Sequence, residues 1–483
     1  MNGKSSSATK VFAISELNQR LSSKIPTWVL AICVALAAVS VFVLPQAIRG
    51  NLNALPPPGD GPDYDAIAYQ LNKGNGFSVN WRDPDYRASY QKRNKSGRYD
   101  YLLKRDCVGP TAYRPPLLPF MMAVSFRVFG RTLSPVRVLI GICMALACSI
   151  TVVILFRRFG IFPSLICVAW FLFLDPRFTT HASRIMTEGL ACLVVAGITW
   201  MLIYLLENRT WKTAMALAAI TGIAFFARSV FILWVPVIAI AVYVLAKPGA
   251  ASSKSLSAFI LPSVFLVSFL IVSGPWMVRN CVLLKGFEPL GTMGSVNSFA
   301  AYSDKGFKRR GRWFGLSKSG FYDQLDLENK SCIEQERVKA NLSRKAAKRW
   351  ALKNPLKVLL LACYKIENLW KPQGAIESIF LALAILGCVS LLSVHPYEAL
   401  VMLFLLAACT LSVGLTWTVG GRFLVPVLPI LALMASVGGW SLLISSAEPT
   451  KAYTVRNRQK NSPTTGRVGG VRSRARPQEK PQQ

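Results

Sequence analysis

The feature that most constrains this chain is a series of ten apolar runs, each with at most one charged residue. Most of these runs are long enough to cross the hydrocarbon core of a bilayer as a helix. Inside lipid a helix satisfies its own backbone polar groups, so uninterrupted apolar runs favour membrane-spanning helices. We therefore predict an all-α polytopic membrane protein with about ten transmembrane helices. The runs cover residues 28–44, 134–156, 161–174, 187–206, 212–227, 230–246, 257–277, 377–393, 398–416 and 423–445.

The composition agrees with a membrane protein and excludes other classes. Hydrophobic residues make up 52% of the chain and charged residues 16%, against roughly 25% charged residues in an average soluble domain. A disordered chain is therefore excluded and an ordinary soluble enzyme is not expected. The net charge of +33 lies mainly in the termini and in two long polar segments. Anionic lipid headgroups are its expected partners, and no nucleic acid is expected.

The Lys and Arg residues of the tails and short loops predict the orientation. If the N-terminus is inside, the inside set holds 19 of these residues and the outside short loops hold 4. By the positive-inside rule both termini are then cytoplasmic. The first run lies in an uncharged window over 25–48, which favours an uncleaved first helix over the alternative of a signal peptide.

This orientation divides the chain into three parts. Residues 1–25 are a cytoplasmic tail, 26–445 form the transmembrane domain, and 446–483 are a disordered basic cytoplasmic tail. The two long polar segments, at about 49–133 and 278–376, become external loops. Their weaker apolar runs, 117–129 and 356–370, have charges at helical spacing and predict helices lying at the membrane interface.

The 11 cysteines do not form the pattern of a metal site or of a disulfide scaffold. Most lie in apolar runs, where cysteine behaves as a small hydrophobic residue. No CxxC is present and the chain has only two histidines, so a structural zinc site is not expected. Cys107, Cys281 and Cys332 lie in polar stretches, and a disulfide among them is open.

Several charged residues converge at the external ends of the predicted helices. Charged groups at membrane depth are costly and are functional candidates. Arginines suit phosphate oxygens, and carboxylates suit proton abstraction or a divalent metal. A phosphorylated lipid headgroup fits such a site, although an arginine at a helix end also commonly extends to the headgroups with no further task. The residues are Asp60, Arg114, Asp175, Glu188, Arg228, Arg279 and Arg422.

Two segments of the first loop hold candidate residues in defined local structure. A short helix is predicted from Tyr64, with Asp63 as a possible cap and Gly74 as its end. Asp60 precedes that cap, in a Gly-Pro turn. The prolines of PTAYRPPLLP hold Arg114 in an extended segment before the interfacial helix.

The order of these segments resembles the GT-C superfamily of membrane glycosyltransferases. More narrowly it is similar to the protein-mannosyltransferase and aminoarabinose-transferase family, with its RgtA/B/C/D-like bacterial members. The resemblance covers nearly all of 26–445. It rests on GDGPDYDAIAYQLNKGNGF, PTAYRPPLLPFMMAVSFRVFG, VRVLIG, LDPRFTTHASRIMTEGL, FARSVFILWVP, PWMVRN and GGRFLVPVLPILAL, in that order.

The resemblance implies a GT-C-like bundle with an active site on the external face. Such enzymes move a sugar from a polyprenyl-phosphate carrier to an acceptor hydroxyl and usually invert the anomeric centre. Asp60 matches the family's base, which can also hold a metal ion, and Glu188 matches its second acidic position. His181 is an alternative base from its own chemistry. The expected location is the cytoplasmic membrane of a bacterium, with the site facing the periplasm.

The basic positions of the family are also present. Arg114 matches the residue that meets the lipid phosphate, and the remaining substrate-binding candidates are Tyr64, Arg228, Arg279 and Arg422. The chain departs from many relatives in having Gly61 after Asp60 where they have a second carboxylate, which weakens the case for metal. It also has an extra polar stretch, Asn80–Cys107, which is either an acceptor-binding insertion or, as the safer interpretation, a solvated loop.

Two other classes of protein compete with the transferase. A transporter or flippase of a lipid-linked glycan is the runner-up, although transporters tend to show repeated halves and charges near the midplane. A scaffold that binds anionic glycans through the basic second loop is the third, and it leaves the acids at the membrane surface without a role. The sugar, the acceptor, the metal requirement and the oligomeric state stay open.

Overall fold

The computed structural model describes residues 16–246, 255–316 and 319–445, and these are overwhelmingly helical. Eight of the described helices are long and apolar enough to cross a membrane, and a bent pair, Ile161–Leu174 and Pro176–Ala182, makes a ninth if it is one span. Between the two parts of the pair the axis turns by 64°. The eight are Thr27–Ile48, Ser134–Phe159, Glu188–Glu207, Ser229–Ala246, Phe259–Leu284, Ala375–Val394, Pro396–Leu415 and Gly420–Ile444.

The all-α polytopic fold class predicted from the sequence is confirmed, and eight of the ten predicted spans correspond to these helices. Of the other two, 161–174 belongs to the bent pair, and 212–227 is the helix Trp211–Ala227, which at 17 residues is shorter than the rest. Residues 1–15 and the predicted disordered tail 446–483 lie outside the described residues. Residues 16–24 are helical, and Asn18 bonds the turn after Ser134–Phe159 through Phe159 and Phe162.

The first loop folds into short helices around a two-stranded antiparallel sheet. Ser78 pairs with Pro110, Val79 with Gly109 and Asn80 with Val108. The helix predicted from Tyr64 is present but begins earlier, and Gly74 follows its end with a positive φ of 82°. The elements are Gly61–Asn72, Ser78–Asn80, Pro84–Lys92, Asp100–Leu103, Val108–Pro110 and Leu117–Phe129.

The stretch Asn80–Cys107 is not a solvated loop, and that interpretation is wrong. Tyr86 and Tyr90 are completely buried, and Tyr90 packs edge-on against Tyr99. The tyrosines that make this stretch look polar are amphipathic, because each buries its ring and uses its hydroxyl as a hydrogen-bond donor. Tyr86 donates to the Pro62 carbonyl and Tyr99 to the Pro56 carbonyl. The insertion therefore braces the start of helix Gly61–Asn72.

The second loop is largely helical, and its helices Met293–Ala301 and Cys332–Lys353 contact the first loop. Ser331 and Glu334 form a capping box at the start of the long helix Cys332–Lys353. Its first residue is bonded to Cys107 of the first loop in a disulfide. Of the three cysteines left open by the sequence, Cys281 is free. The helices of this loop are Met293–Ala301, Asp304–Lys308, Cys332–Lys353 and Pro355–Trp370.

Two glycines allow the last helix to approach Ala375–Val394 closely. A Cβ on Gly387 would lie 1.8 Å from the Met434 carbonyl oxygen, and one on Gly438 would lie 2.1 Å from that of Leu383. Small residues at a helix crossing permit this backbone contact inside a membrane. The last helix is extended towards the loops by a 3-10 turn, Arg422–Val427, which carries Arg422 to the loop end of the bundle.

Candidate active site

A chain of alternating acids and arginines lies where the first loop meets the ends of the spans. Asp60 and Asp63 come from the first loop, as does Arg114, whereas Glu188 begins the helix Glu188–Glu207. We refer to this set as the acid–arginine chain. Its members, in order of contact, are Asp63, Arg114, Asp60, Arg422, Glu188 and Arg228.

Asp63 belongs to this chain and does not cap its helix, so the interpretation of Asp63 as a cap is wrong. The helix begins at Gly61, Asp60 occupies the N-cap position, and neither carboxylate caps the helix through its side chain. Because residues three apart lie on one face of a helix, both carboxylates face the same way. Asp63 Oδ1 accepts from Arg105 at 2.6 Å, and its Oδ2 accepts from Arg114 Nε and Nη2 at 2.9 and 2.5 Å.

Arg114 joins the two aspartates of the first loop. Its Nη2 lies 2.8 Å from Asp60 Oδ1 as well as 2.5 Å from Asp63 Oδ2. The guanidinium is buried and lies 5.4 Å from the ring centre of Tyr64 and 4.7 Å from that of Tyr113. The prolines that follow Arg114 start the helix Leu117–Phe129, so the arginine is fixed between a strand and a helix.

Arg422 joins Asp60 to Glu188 across the bundle. Its Nη2 lies 2.8 Å from Asp60 Oδ2 and its Nε lies 2.5 Å from Glu188 Oε1. Arg228 Nη1 approaches the same Glu188 oxygen only to 3.5 Å, and neither that Nη1 nor Glu188 Oε2 has a hydrogen-bond partner among the described residues. A buried donor without a partner is costly, so this Nη1 is available to a water molecule or a ligand.

A cavity of about 300 Å³ opens beside this part of the acid–arginine chain, and we call it the first cavity. Its polar end is formed by Asp60, Arg228 and Arg422, and Tyr64 also lines it. The rest of its wall is largely apolar and comes from the 3-10 turn Ser229–Trp234 and from the end of Pro396–Leu415. The shape suits an amphiphile with an anionic head. The apolar residues include Val230, Phe231, Ile232, Leu233, Val413 and Leu415.

The two arginines determine the protonation state of Asp60. Burial alone raises the pKa of a carboxyl group, but Arg114 and Arg422 outweigh that effect through charge and hydrogen bonds. Together they hold the pKa of Asp60 well below its usual range. Asp60 is therefore ionised and, in this arrangement, a weak base.

Arg279 and His181 are not brought into the acid–arginine chain. Arg279 donates to the carbonyls of Phe77 and Thr111 at 3.2 and 3.1 Å and lies over the ring of Trp276. His181 is buried, and its Nδ1 has no partner among the described residues. The roles predicted for both residues stay predictions. Asp175, also expected at this face, caps helix Pro176–Ala182 and binds Arg177 through both oxygens.

The donor set does not fit a divalent metal ion at Asp60. Both oxygens of Asp60 are engaged by arginines, whose positive charges oppose a nearby cation. In the part of the chain that the structure describes, no three His, Cys, Asp or Glu side chains converge to hold a metal ion.

Part of the chain matches a family of known proteins. Residues 113–278, about a third of the chain, match the sequence profile of the family described as dolichyl-phosphate-mannose-protein mannosyltransferase. That segment includes Arg114, Glu188 and Arg228. No curated protein matches the sequence in a direct comparison.

The fold is similar to that of the Archaeoglobus fulgidus oligosaccharyltransferase. The apo crystal structure has a TM-score of 0.54 and 12% identity, covering 87% of this chain and 51% of that one. The complex of the same archaeal enzyme, AglB, with an inhibitory peptide and a dolichol-phosphate has a TM-score of 0.52 and 12% identity, with coverages of 88% and 51%. The chain thus spans about half the length of that oligosaccharyltransferase.

ArnT from Cupriavidus metallidurans, in the apo state, gives a TM-score of 0.36 at 15% identity, covering 87% of this chain and 77% of ArnT. That score carries no argument about the fold. The family profile and the archaeal structures together confirm the resemblance to GT-C membrane glycosyltransferases. The protein has the fold of that superfamily.

Proposed function

We propose that this protein is a membrane glycosyltransferase that moves a sugar from a polyprenyl-phosphate carrier to an acceptor hydroxyl, with inversion at the anomeric carbon. One observation carries the proposal: three members of the acid–arginine chain, Asp60, Arg228 and Arg422, line a cavity whose wall is otherwise largely apolar. A polyprenyl phosphate has the same division, with a long apolar chain and one anionic group. The family profile of dolichyl-phosphate-mannose-protein mannosyltransferases supports the same donor class.

The arginines bind and stabilise the phosphate. Arg228 has an unpartnered Nη1 and lines the first cavity beside Arg422. As the bond from the anomeric carbon to the phosphate oxygen breaks, the electron pair leaves with the phosphate, and these fixed cations stabilise its charge. Glu188 holds both arginines in place through Oε1. It is also the second candidate for the base.

Asp60 accepts the proton of the acceptor hydroxyl while the hydroxyl oxygen attacks the anomeric carbon. A base whose pKa lies so low is weak at rest. The donor phosphate competes with Asp60 for Arg422, because it brings a second anion that a guanidinium can bind through paired donors. Donor binding therefore weakens the Asp60–Arg422 pair, raises the pKa of Asp60 and activates the base only when the sugar is present.

The location of the reaction is the external face of a cytoplasmic membrane, with the tails inside. The Cys107–Cys332 disulfide joins the two long loops beside the site. Stable disulfides form in oxidising compartments and are rare in the cytosol. The disulfide and the distribution of Lys and Arg therefore support the same orientation.

Glycosyl transfer by the purified protein in lipid tests the proposal. The wild type is compared with Asp60→Asn on a panel of polyprenyl-phosphate sugars, and the release of free polyprenyl phosphate is measured. Loss of a positioned base is expected to slow release by about 10²–10⁴-fold. Asp85→Asn is the matched control, because its carboxylate is 80% exposed in the same loop. Carrier binding is measured in parallel and is retained by both variants.

The outcomes separate the competing classes. Equal release by wild type and Asp60→Asn keeps the transferase and moves the base to Glu188. If wild type neither releases polyprenyl phosphate nor binds the carrier, the transferase proposal is wrong. Movement of intact lipid-linked glycan across the membrane would then identify a transporter.

A further inference from the structure

A second cavity, of about 450 Å³, lies on the other side of the acid–arginine chain. Asp63 and Arg114 line it, whereas Asp60 lines the first cavity. Because Arg114 bonds both aspartates, these three side chains form a wall between the two cavities. The remaining lining comes from the rest of the first loop, including the insertion Asn80–Cys107, and from the second loop, so this cavity lies outside the helical bundle.

The second cavity has a balanced set of charges. Its acids are largely committed: Asp63 to Arg105 and Arg114, and Glu336 to the hydroxyls of Thr111 and Thr292. An occupant with one sign of charge would meet like charges as well as opposite ones. A neutral molecule with many hydroxyls avoids this conflict, because each hydroxyl both donates and accepts. The charged lining residues are Asp63, Asp106, Glu328, Glu336, Lys104, Arg105, Arg114 and Lys339.

An extended peptide fits this cavity less well. Peptides commonly bind by adding a strand to an open sheet edge. The strand Val108–Pro110 packs against helix Cys332–Lys353, and Ser78–Asn80 packs against helix Gly61–Asn72. The nearest side-chain carbon of Ser331 is 3.8 Å from where a Cβ of Gly109 would lie. Each strand of the small sheet therefore already has a helix beside it.

Lys339 supplies a hydrogen-bond donor that the protein itself does not use. It lies on helix Cys332–Lys353, is partly buried and lines the second cavity. No described carboxylate lies within 4.0 Å of its ammonium group, and the ring of Tyr322 is 5.9 Å away. By contrast, the nearby Gln335 amide is already bonded to the carbonyls of Leu327 and Lys330.

We propose that the second cavity is the acceptor site and that the acceptor is a carbohydrate. Lys339 and Arg105 donate to its hydroxyls. One further hydroxyl replaces Arg114 Nη2 at Asp60 Oδ1, which opens the wall between the two cavities. The volume lies in the ordinary range of roughly 300–1,000 Å³ for sites that bind small molecules. This inference rests on the proposed function, since it assigns the second substrate of the same reaction.

The test measures saccharide binding separately from turnover. Saturation-transfer NMR is recorded on the full chain in lipid nanodiscs, with neutral hexose and N-acetylhexosamine trisaccharides as probes and a serine-containing tripeptide as comparison. Binding of at least one trisaccharide and not of the peptide is expected. Lys339→Met is expected to weaken that binding about tenfold, whereas Lys345→Met, an exposed lysine of the same helix, leaves it unchanged.

Kinetics separate binding from a structural effect. Where a trisaccharide accelerates release of polyprenyl phosphate, Lys339→Met raises the KM for the trisaccharide with kcat unchanged, and Lys339→Arg restores it. Binding of the peptide alone, binding of neither probe, or equal binding by wild type and Lys339→Met overturns the proposal. Failure of the proposed function is a different result, because it abolishes donor release while saccharide binding can still be measured.

Discussion

Two aspartates at the start of helix Gly61–Asn72, Asp60 and Asp65, both pair with arginine, but different residues surround them. Asp60, at its start, pairs with Arg114 and Arg422 beside the first cavity. Asp65 accepts from Arg131 Nη2 at 2.8 Å and from the Tyr90 hydroxyl at 2.8 Å, and it lines neither cavity. The Arg131 guanidinium lies between tyrosine rings, 4.6 Å from Tyr69 and 4.7 Å from Tyr86.

The comparison teaches that a buried acid–arginine pair is not by itself a functional site. Both aspartates accept the same kind of charged hydrogen bond, but Asp65 is buried whereas the Asp60 side chain keeps 21% of its surface exposed. Among the described residues, the unpartnered atom beside the cavity is a donor, Arg228 Nη1, whereas the unpartnered atom at Asp65 is its own acceptor oxygen, Oδ1. Asp65 closes an aromatic cluster that holds the insertion in place, so its contribution is to stability.

Asp65→Asn gives the largest change in stability and the strongest test of this comparison. It leaves the charge of Arg131 buried without its partner, which costs about 3–5 kcal/mol in the free energy of unfolding. Turnover per folded molecule is expected to stay near that of the wild type. Thermal unfolding in detergent checks the loss of stability, and release of polyprenyl phosphate checks the unchanged turnover. A folded Asp65→Asn protein as inactive as Asp60→Asn would break the comparison.

Arg422→Gln tests the cavity side of the comparison. Removing one fixed donor that stabilises the leaving group is expected to lower kcat by about 10²–10³-fold. Arg279→Gln is the companion variant, because Arg279 was predicted to bind substrate but donates to the carbonyls of Phe77 and Thr111. We expect it to change kcat no more than a few-fold. An equal loss of kcat in both variants would indicate that Arg279 also binds the donor.

The sequence predicts the members of the site better than its internal contacts. Counting helix ends places Asp60, Arg114, Glu188, Arg228 and Arg422 at one face, and the structure brings all five together. That count works because a transmembrane helix has a fixed length and so fixes the depth of its ends. The count of helix ends does not distinguish a side chain that faces a cavity from one that binds a carbonyl. It therefore groups Arg279 with the arginines of the acid–arginine chain.

The sequence does not predict which distant segments contact each other. The Cys107–Cys332 bond and the contacts of Glu336 with Thr111 and Ala112 join positions more than 220 residues apart. The sequence could predict that Asp63 belongs to the acid–arginine chain, because its spacing of three from Asp60 places both on one helix face. The sequence alone nevertheless favours a cap at Asp63, because local capping is the common role of an aspartate before a helix.

Glu336 extends the comparison to a half-buried acid held without an arginine, and the effect expected there is the smallest. Two hydroxyls and the Ala112 amide bond its carboxylate. Burial outweighs these bonds and raises the pKa of Glu336 above 4.5 in the folded state. The folded state then binds more protons than the unfolded state, so this contribution is complete below pH 4.5 and is lost as the pH rises through the raised pKa.

Glu336→Gln removes this dependence. Relative to wild type, the Tm of the variant is therefore expected to rise by roughly a few degrees between acidic and neutral pH.

Glu334→Gln is the matched control with the opposite sign, because hydrogen bonds from Ser331 lower the pKa of that exposed carboxyl group. Glu334 stabilises the fold above its unfolded pKa, and this contribution is lost as the pH falls. The Tm of Glu334→Gln therefore falls relative to wild type towards neutral pH. Parallel pH profiles for the two variants would contradict the assignment of Glu336 as a half-buried acid that joins the two loops, whereas diverging profiles would support it.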